Sequence, residues 1–116
     1  MEILKKSEDL TVMDIYKMSK SNEIQKVSDN EGKVLPVKAY MTYADIDSKG
    51  EEKTICSIMT QDGEVFATNS DSFRRDFEDM LSLTASMGQS IESIKIVSGK
   101  SKAGRTFYTC ELESVK

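Results

Sequence analysis

The chain has 116 residues, 16 basic and 20 acidic side chains, and a formal net charge of −4. This length corresponds to one folded domain with a small core, and the low glycine and proline content excludes a low-complexity or collagen-like chain. No apolar run approaches the roughly 20 residues of a membrane-spanning helix, and the N-terminus lacks the apolar core of a signal peptide. We therefore expect a cytoplasmic protein with no membrane partner.

Residues 1–33 are predicted to form an N-terminal helical extension. Thr11 and Asp14 have the spacing of a capping box, and the apolar residues after them recur at helical intervals, which predicts a short helix over 12–19. A further turn is expected at 23–27. We expect the extension to plug one end of the main body or to mediate self-association, which would make a homo-oligomer.

Residues 34–116 are predicted to form the main body. Alternating apolar and polar residues predict five strands, at 34–44, 53–60, 65–68, 91–97 and 106–113. Between the third and fourth strands the apolar spacing changes to the period of a helix, which we place at 71–86. This order matches the oligonucleotide-binding (OB) fold, so we predict a mainly β, OB-fold-like barrel. Other α+β sheets share the same order of elements.

The sequence offers little for catalysis or metal binding. Cys56 and Cys110 lie in apolar, strand-like segments, and the chain has no histidine, so we predict two reduced core cysteines and no zinc site of the usual cysteine–histidine type. Histidine is the commonest general base near neutral pH, and neither a phosphate-binding loop nor a serine nucleophile motif is present. We therefore predict no catalytic residues, no metal, no cofactor and no enzymatic activity.

The most distinctive stretch is the basic, glycine-bounded segment 98–108, SGKSKAGRTFY. From Ser93 to Cys110 there is no acidic residue, and the four basic residues are Lys95, Lys100, Lys102 and Arg105. Since the whole chain carries −4, the remainder carries −8. Positive charge beside aromatic rings on a negative body favours a site for a polyanion with flat bases. A solvated hairpin tip would have a similar composition.

Strand alternation predicts which side chains of this region face solvent. If Tyr108 and Cys110 point inward, Phe107 points outward together with Lys95 of the preceding strand. A one-residue slip in the pairing would move every side chain to the other face, and Tyr108 would then replace Phe107.

The first strand of the main body offers a second set of candidates. Val37 and Ala39 alternate with Lys38 and Tyr40, so we expect Lys38 and Tyr40 to share an exposed face; a slip in register would present Tyr43 instead. The predicted nucleic-acid-binding residues are therefore Lys38, Tyr40, Tyr43, Lys95, Lys100, Lys102, Arg105 and Phe107.

Two segments, 62–70 and 99–107, resemble the small, OB-fold-like single-stranded DNA-binding proteins of bacteriophages and integrated elements of Gram-positive bacteria. The likeness covers about 37–112, and its strongest part is the run Gly-Lys-Ser-Lys-x-Gly-Arg-x-Phe. It implies sequence-tolerant binding of displaced DNA strands during phage replication or recombination, with phage or host replication proteins as further partners. The binding residues that it implies are Lys100, Lys102, Arg105 and Phe107.

A second hypothesis follows from the acidic remainder of the chain. A negative surface, such as that expected around 45–52 and 71–79, can occupy the basic groove of a host nucleic-acid enzyme. The protein would then be an interaction factor or an anti-defence inhibitor. Binding to an oligonucleotide separates the two hypotheses.

Overall fold

A computed structural model describes all 116 residues of the chain. The protein is mostly β, with 46% of its residues in strands and 23% helical, as predicted. In chain order the elements are β1 (Glu2–Lys6), α1 (Val12–Ser19), β2 (Gln25–Lys26), a 3₁₀ turn (Val27–Asp29), β3 (Val34–Ile46), β4 (Glu52–Thr60), β5 (Val65–Thr68), α2 (Asp71–Ser86), β6 (Ile91–Lys100) and β7 (Thr106–Val115).

The strands form one curled sheet in the order β2-β5-β4-β3-β6-β7, with β1 also paired to β3. The long strand β3 pairs with β6 through residues 34–36, with β1 through residues 41–44, and with β4 over most of its length. The two ends of this path, β2 and β7, are not hydrogen-bonded to each other. The sheet is therefore an open half-barrel, which agrees with the OB-fold-like prediction.

Two apolar cores lie on opposite faces of the sheet. The larger one has 12 buried residues and contains Phe73 and Phe77 of α2, packed against Ile58, Phe66 and Ile96 of the strands. The smaller one has six buried residues: Met18 of α1 and, from the strands, Ala39, Met41, Tyr43, Met59 and Val65. Each helix thus covers one face of the sheet.

A β-bulge in β3 changes which side chains face each core. The pairing of β3 with β4 shifts between Val37 and Ala39, so one extra residue, Lys38, stands between them. Val37 therefore faces the larger core and Ala39 the smaller one. The prediction that these two residues share a face is wrong, because regular alternation does not survive a bulge.

The same bulge turns Tyr40 toward α2. Tyr40 is half-buried against the larger core, and its ring meets that of Phe77 edge-on at 5.5 Å between centroids. Burial, with a smaller effect of Glu8, raises the pKa of the Tyr40 hydroxyl. The prediction that Tyr40 lies exposed beside Lys38 is therefore wrong, although Lys38 itself is exposed.

The helices lie where the capping residues and the helical periodicity of the sequence predict them. Thr11 and Asp14 form both bonds of the capping box at the start of α1, and the Ser70 hydroxyl accepts the Phe73 amide at the start of α2. Gly88 follows α2 with φ of +69°, the left-handed conformation common after a helix. The bounds of α1, α2 and β5 match the predictions.

The strands differ from prediction mainly near the N-terminus. Neither β1 nor β2 was expected, and the turn predicted at 23–27 is instead β2, which runs parallel to β5, followed by the 3₁₀ turn. At the other end of the chain, β6 and β7 extend further than predicted, to Lys100 and Val115. The loop between them is correspondingly shorter.

Both cysteines are free and buried in the larger core. Burial raises the pKa of the Cys56 thiol to about 12 and raises that of Cys110 still further from its ordinary value. Because only the thiolate is a good nucleophile, both groups are held in their unreactive form.

We expect a thiol reagent at pH 8 to label neither Cys56 nor Cys110 in the folded protein. The raised pKa values keep both thiols protonated at this pH, and the core excludes the reagent. In denaturant, where the pKa values return to about 8.5, both should react within the mixing time. Rapid labelling of the folded chain would contradict this account of the core.

Candidate nucleic-acid interface

The basic segment forms the end of a hairpin that projects from the sheet. The last backbone bonds of β6 on the side away from β7 are those of Ile96 with Gly32 and Lys33, the two residues directly before β3. Beyond that point β6 pairs only with β7, as far as Lys100 opposite Thr106. We call residues 97–109 the basic hairpin.

A compact five-residue turn, 101–105, closes the basic hairpin. The Ser101 amide donates to the Arg105 carbonyl at 2.8 Å, and the Gly104 amide donates to the Ser101 carbonyl at 2.9 Å. The Ser101 hydroxyl also accepts the Arg105 amide at 3.2 Å, and Gly104 has φ of +80°, which favours glycine. The backbone of the turn is thus internally bonded, and its charged side chains remain free for a ligand.

The cations of the hairpin have no acidic partner. Lys100, Lys102 and Arg105 are exposed, and the ion pairs of the protein involve other cations, namely Lys20, Lys33, Arg74 and Arg75. The pairs of Arg74 with Asp71 and Glu78 are those expected at helical spacing. The positive charge of the hairpin is therefore not neutralised within the chain.

The hairpin presents an aromatic ring beside these cations. Phe107 is 37% exposed and lies opposite Gly99 of β6. Its neighbour Tyr108 is half-buried against the larger core, and Cys110 lies inside it. The predicted orientation of the last strand is correct, and the ring nearest the cations is accessible to a base.

The two remaining cations lie outside the turn. Lys95 is half-exposed in β6, where it pairs in register with Val34 on one side and with Glu111 on the other. It shares the outer face of the sheet with Phe107, since Lys95, Gly99 and Phe107 fall on one side of the pleat. Lys38 is exposed at the bulge of β3. Neither cation makes an ion pair.

Tyr43 lies on the floor of a groove and, as a whole residue, is only 3% exposed. The groove has a volume of about 540 Å³ and lies beside β2 on the α1 side of the sheet. Burial, with a smaller effect of Asp45, raises the pKa of the Tyr43 hydroxyl. The other lining residues are Ile24, Gln25, Lys26, Ser28, Ile55, Ala67, Thr68 and Asn69. Tyr43 can contribute to the floor of a site, but it offers no open ring face.

The segment that follows β5 joins this groove to the basic hairpin. Asn69 lines the groove, and the next residue, Ser70, donates its hydroxyl to the Tyr108 carbonyl at 2.7 Å. One residue further along β7, the Thr109 hydroxyl bonds the Asp76 carboxylate of α2. The end of the basic hairpin next to the sheet is therefore fixed to the rest of the protein. Neither Asn69 nor β2 was predicted to be part of this surface, since no local sequence pattern brings them together.

Negative charge lies on other parts of the surface. The turn between β3 and β4 is exposed and acidic, and the Asp47 carboxylate organises it by accepting the amides of Lys49 and Glu51 at 2.9 Å each.

No group of three or more acidic or cysteine side chains is arranged to hold a metal ion. No helix combines the length and apolar character needed to cross a membrane.

Comparison with known proteins supplies the family. Residues 5–113 match the phi29-type family described as phage single-stranded DNA-binding protein. No curated protein and no solved structure matches the chain significantly. The family match covers nearly the whole chain and includes the basic hairpin, the groove and both helices. The chain therefore belongs to the phage single-stranded DNA-binding protein family.

Proposed function

We propose that this protein coats single-stranded DNA without catalysis and with little sequence preference, in support of phage DNA replication or recombination in the host cytoplasm. The observation that carries the proposal is the basic hairpin. Three unpaired cations and one exposed aromatic ring project there from an otherwise acidic protein. Family membership supports the same ligand.

The cations contribute affinity through the phosphates. Lys100, Lys102 and Arg105 bind the backbone of the strand near the turn, and Lys95 and Lys38 extend the positive path toward the body. The net charge of −4 does not cancel this attraction, because the Debye length at 0.1 M salt is only about 10 Å. Contacts to phosphate carry no sequence information, which accounts for the proposed tolerance.

Phe107 contributes by stacking. Each stacked base is worth about 1–3 kcal/mol, and every base has a flat face, so stacking also tolerates sequence. From Phe107 the strand continues past Ser70 toward the groove at Asn69. Tyr43 contributes to the floor of that groove, whereas Tyr40, packed on Phe77, contributes to the core.

The acidic surface supports a second candidate function. The exposed turn between β3 and β4 and the acids of α2 suit a basic protein partner, either a replication protein or a host nucleic-acid enzyme that this chain would inhibit. Binding to a basic nuclease, together with no binding to oligo(dT) at low salt, would favour inhibition over DNA coating.

Changing Lys100, Lys102 and Arg105 together to Ala should weaken the binding of fluorescein-labelled oligo(dT) and flatten its salt dependence. Each phosphate contact to a single strand contributes about 0.7 to the log–log slope, so the slope should fall by about 2. Fluorescence anisotropy at several salt concentrations measures both effects.

The matched control changes Lys20, Arg74 and Arg75 to Ala. These three cations carry the same charge but already form ion pairs with acids of the chain, so the slope should stay at the wild-type value. Equal slopes for both triple variants would contradict a phosphate path on the basic hairpin. Absence of oligo(dT) binding by the folded wild type at low salt would refute the proposed function.

Phe107→Ala should weaken oligo(dT) binding by about 5- to 150-fold, the range that corresponds to one stacked base, and leave the salt slope unchanged, since no cation is lost. Tyr16→Ala is the control, because Tyr16 is an exposed ring on α1, away from the hairpin. If both variants bind like the wild type, Phe107 does not stack with a base.

A further inference from the structure

We infer that Gly99 is a positioning residue for the DNA site. Because Gly99 has no side chain, the ring of Phe107 can lie flat across the basic hairpin with one face against β6 and the other open to a base. The inference rests on the proposed function and concerns how the stacking surface is held.

The geometry of the ring relative to Gly99 carries the inference. A Cβ atom placed on Gly99 would lie 2.7 Å from Cζ of Phe107 and 3.1 and 3.2 Å from its two Cε atoms. The nearly equal Cε distances, only slightly longer than the distance to Cζ, show that the ring presents its face and not its edge. A separation of 2.7 Å lies well inside the 3.5–4.0 Å contact distance between carbon atoms. Any side chain at position 99 would therefore displace the ring.

Backbone conformation does not explain this glycine. The other five glycines all have positive φ, and none of them would place a Cβ within 4 Å of another atom. Gly99 differs in both respects. Its φ is not positive, it lies within β6, and a Cβ atom added to it would overlap the ring of Phe107. Glycine weakens the interior of a strand and often marks a close approach of another group. Here the approaching group is the ring of Phe107.

This arrangement holds the ring in place before DNA arrives. Phe107 and Gly99 are cross-strand partners, so the ring is supported on one face by the hairpin itself, and the side chain remains 37% exposed. A surface that is already ordered loses little conformational entropy on binding. The alternative is that the ring only shields the backbone at Gly99, as aromatic residues do at other strand glycines. In that case Gly99 would affect stability and not DNA affinity.

The first experiment is a double-mutant cycle in the full chain, with anisotropy of labelled oligo(dT) as the measurement. Gly99→Ala should lower the affinity about as much as Phe107→Ala, at least about fivefold, with an unchanged salt slope. The double variant should bind no more weakly than Phe107→Ala alone, because the added methyl group acts only through the ring. Ser98→Ala, at an exposed neighbouring position in the same strand, should bind like the wild type.

The second experiment uses the absence of tryptophan from the chain. Phe107→Trp introduces a single fluorophore at the proposed stacking position, and its emission should be quenched by saturating oligo(dT). Adding Gly99→Ala should abolish most of this quenching at saturation. A shielding role alone would not change how closely a bound base approaches the ring.

Several results would overturn the inference. One is wild-type affinity of Gly99→Ala together with weakened binding by Phe107→Ala, and another is equal losses from Gly99→Ala with and without the ring. If Gly99→Ala does not fold on its own, the double variant tests the clash: failure of both variants to fold overturns the inference, and recovery of folding when the ring is removed establishes the clash, after which the quenching of Phe107→Trp with and without Gly99→Ala decides between positioning and shielding. If the folded wild type does not bind oligo(dT), the proposed function itself fails, and this result is distinct from all of the others.

Discussion

The strand β3 is the element on which the rest of the fold depends, because it pairs with β4, β6 and β1. Its bulge at Lys38 lets a single strand contribute Val37 to one core and Met41 to the other. Only its first residues pair with β6, so the far half of β6 leaves the sheet with β7. The projection of the basic hairpin is a consequence of this limited pairing.

The basic hairpin is fixed where it joins the sheet and solvated at its turn. The bonds of Ser70 with Tyr108 and of Thr109 with Asp76 tie its base to the start of α2, while the turn is bonded only within itself. Charge is segregated in the same way, since Arg74 and Arg75 of α2 pair with Asp71, Asp76 and Glu78 of the same helix. The unpaired cations Lys100, Lys102 and Arg105 lie in the same hairpin as the exposed ring of Phe107, where a nucleic acid can use both the charge and the ring.

The sequence predictions were correct where the signal for an element lies within that element's own segment. The helices α1 and α2 have capping residues and helical periodicity within their own segments, and the orientation of Phe107 follows from regular alternation in β7. By contrast, all five side chains of β1 are exposed, so no apolar pattern marks it as a strand. It is held by backbone hydrogen bonds to β3, a strand that is distant from it in sequence. The orientation of Tyr40 was mispredicted for a related reason, because a bulge belongs to the pairing of two strands.

By itself, the sequence determined the mainly β fold class, the position of α2 between strands and the concentration of positive charge beside an aromatic residue, since composition, periodicity and charge are properties of short segments. Only the tertiary structure decided that Tyr40 packs on Phe77, that Tyr43 forms the floor of a groove, and that Phe107 rests on Gly99. Each of these contacts joins residues from different strands or helices. Their geometry depends on strand register and sheet curvature, which the chain acquires only when the whole sheet has formed.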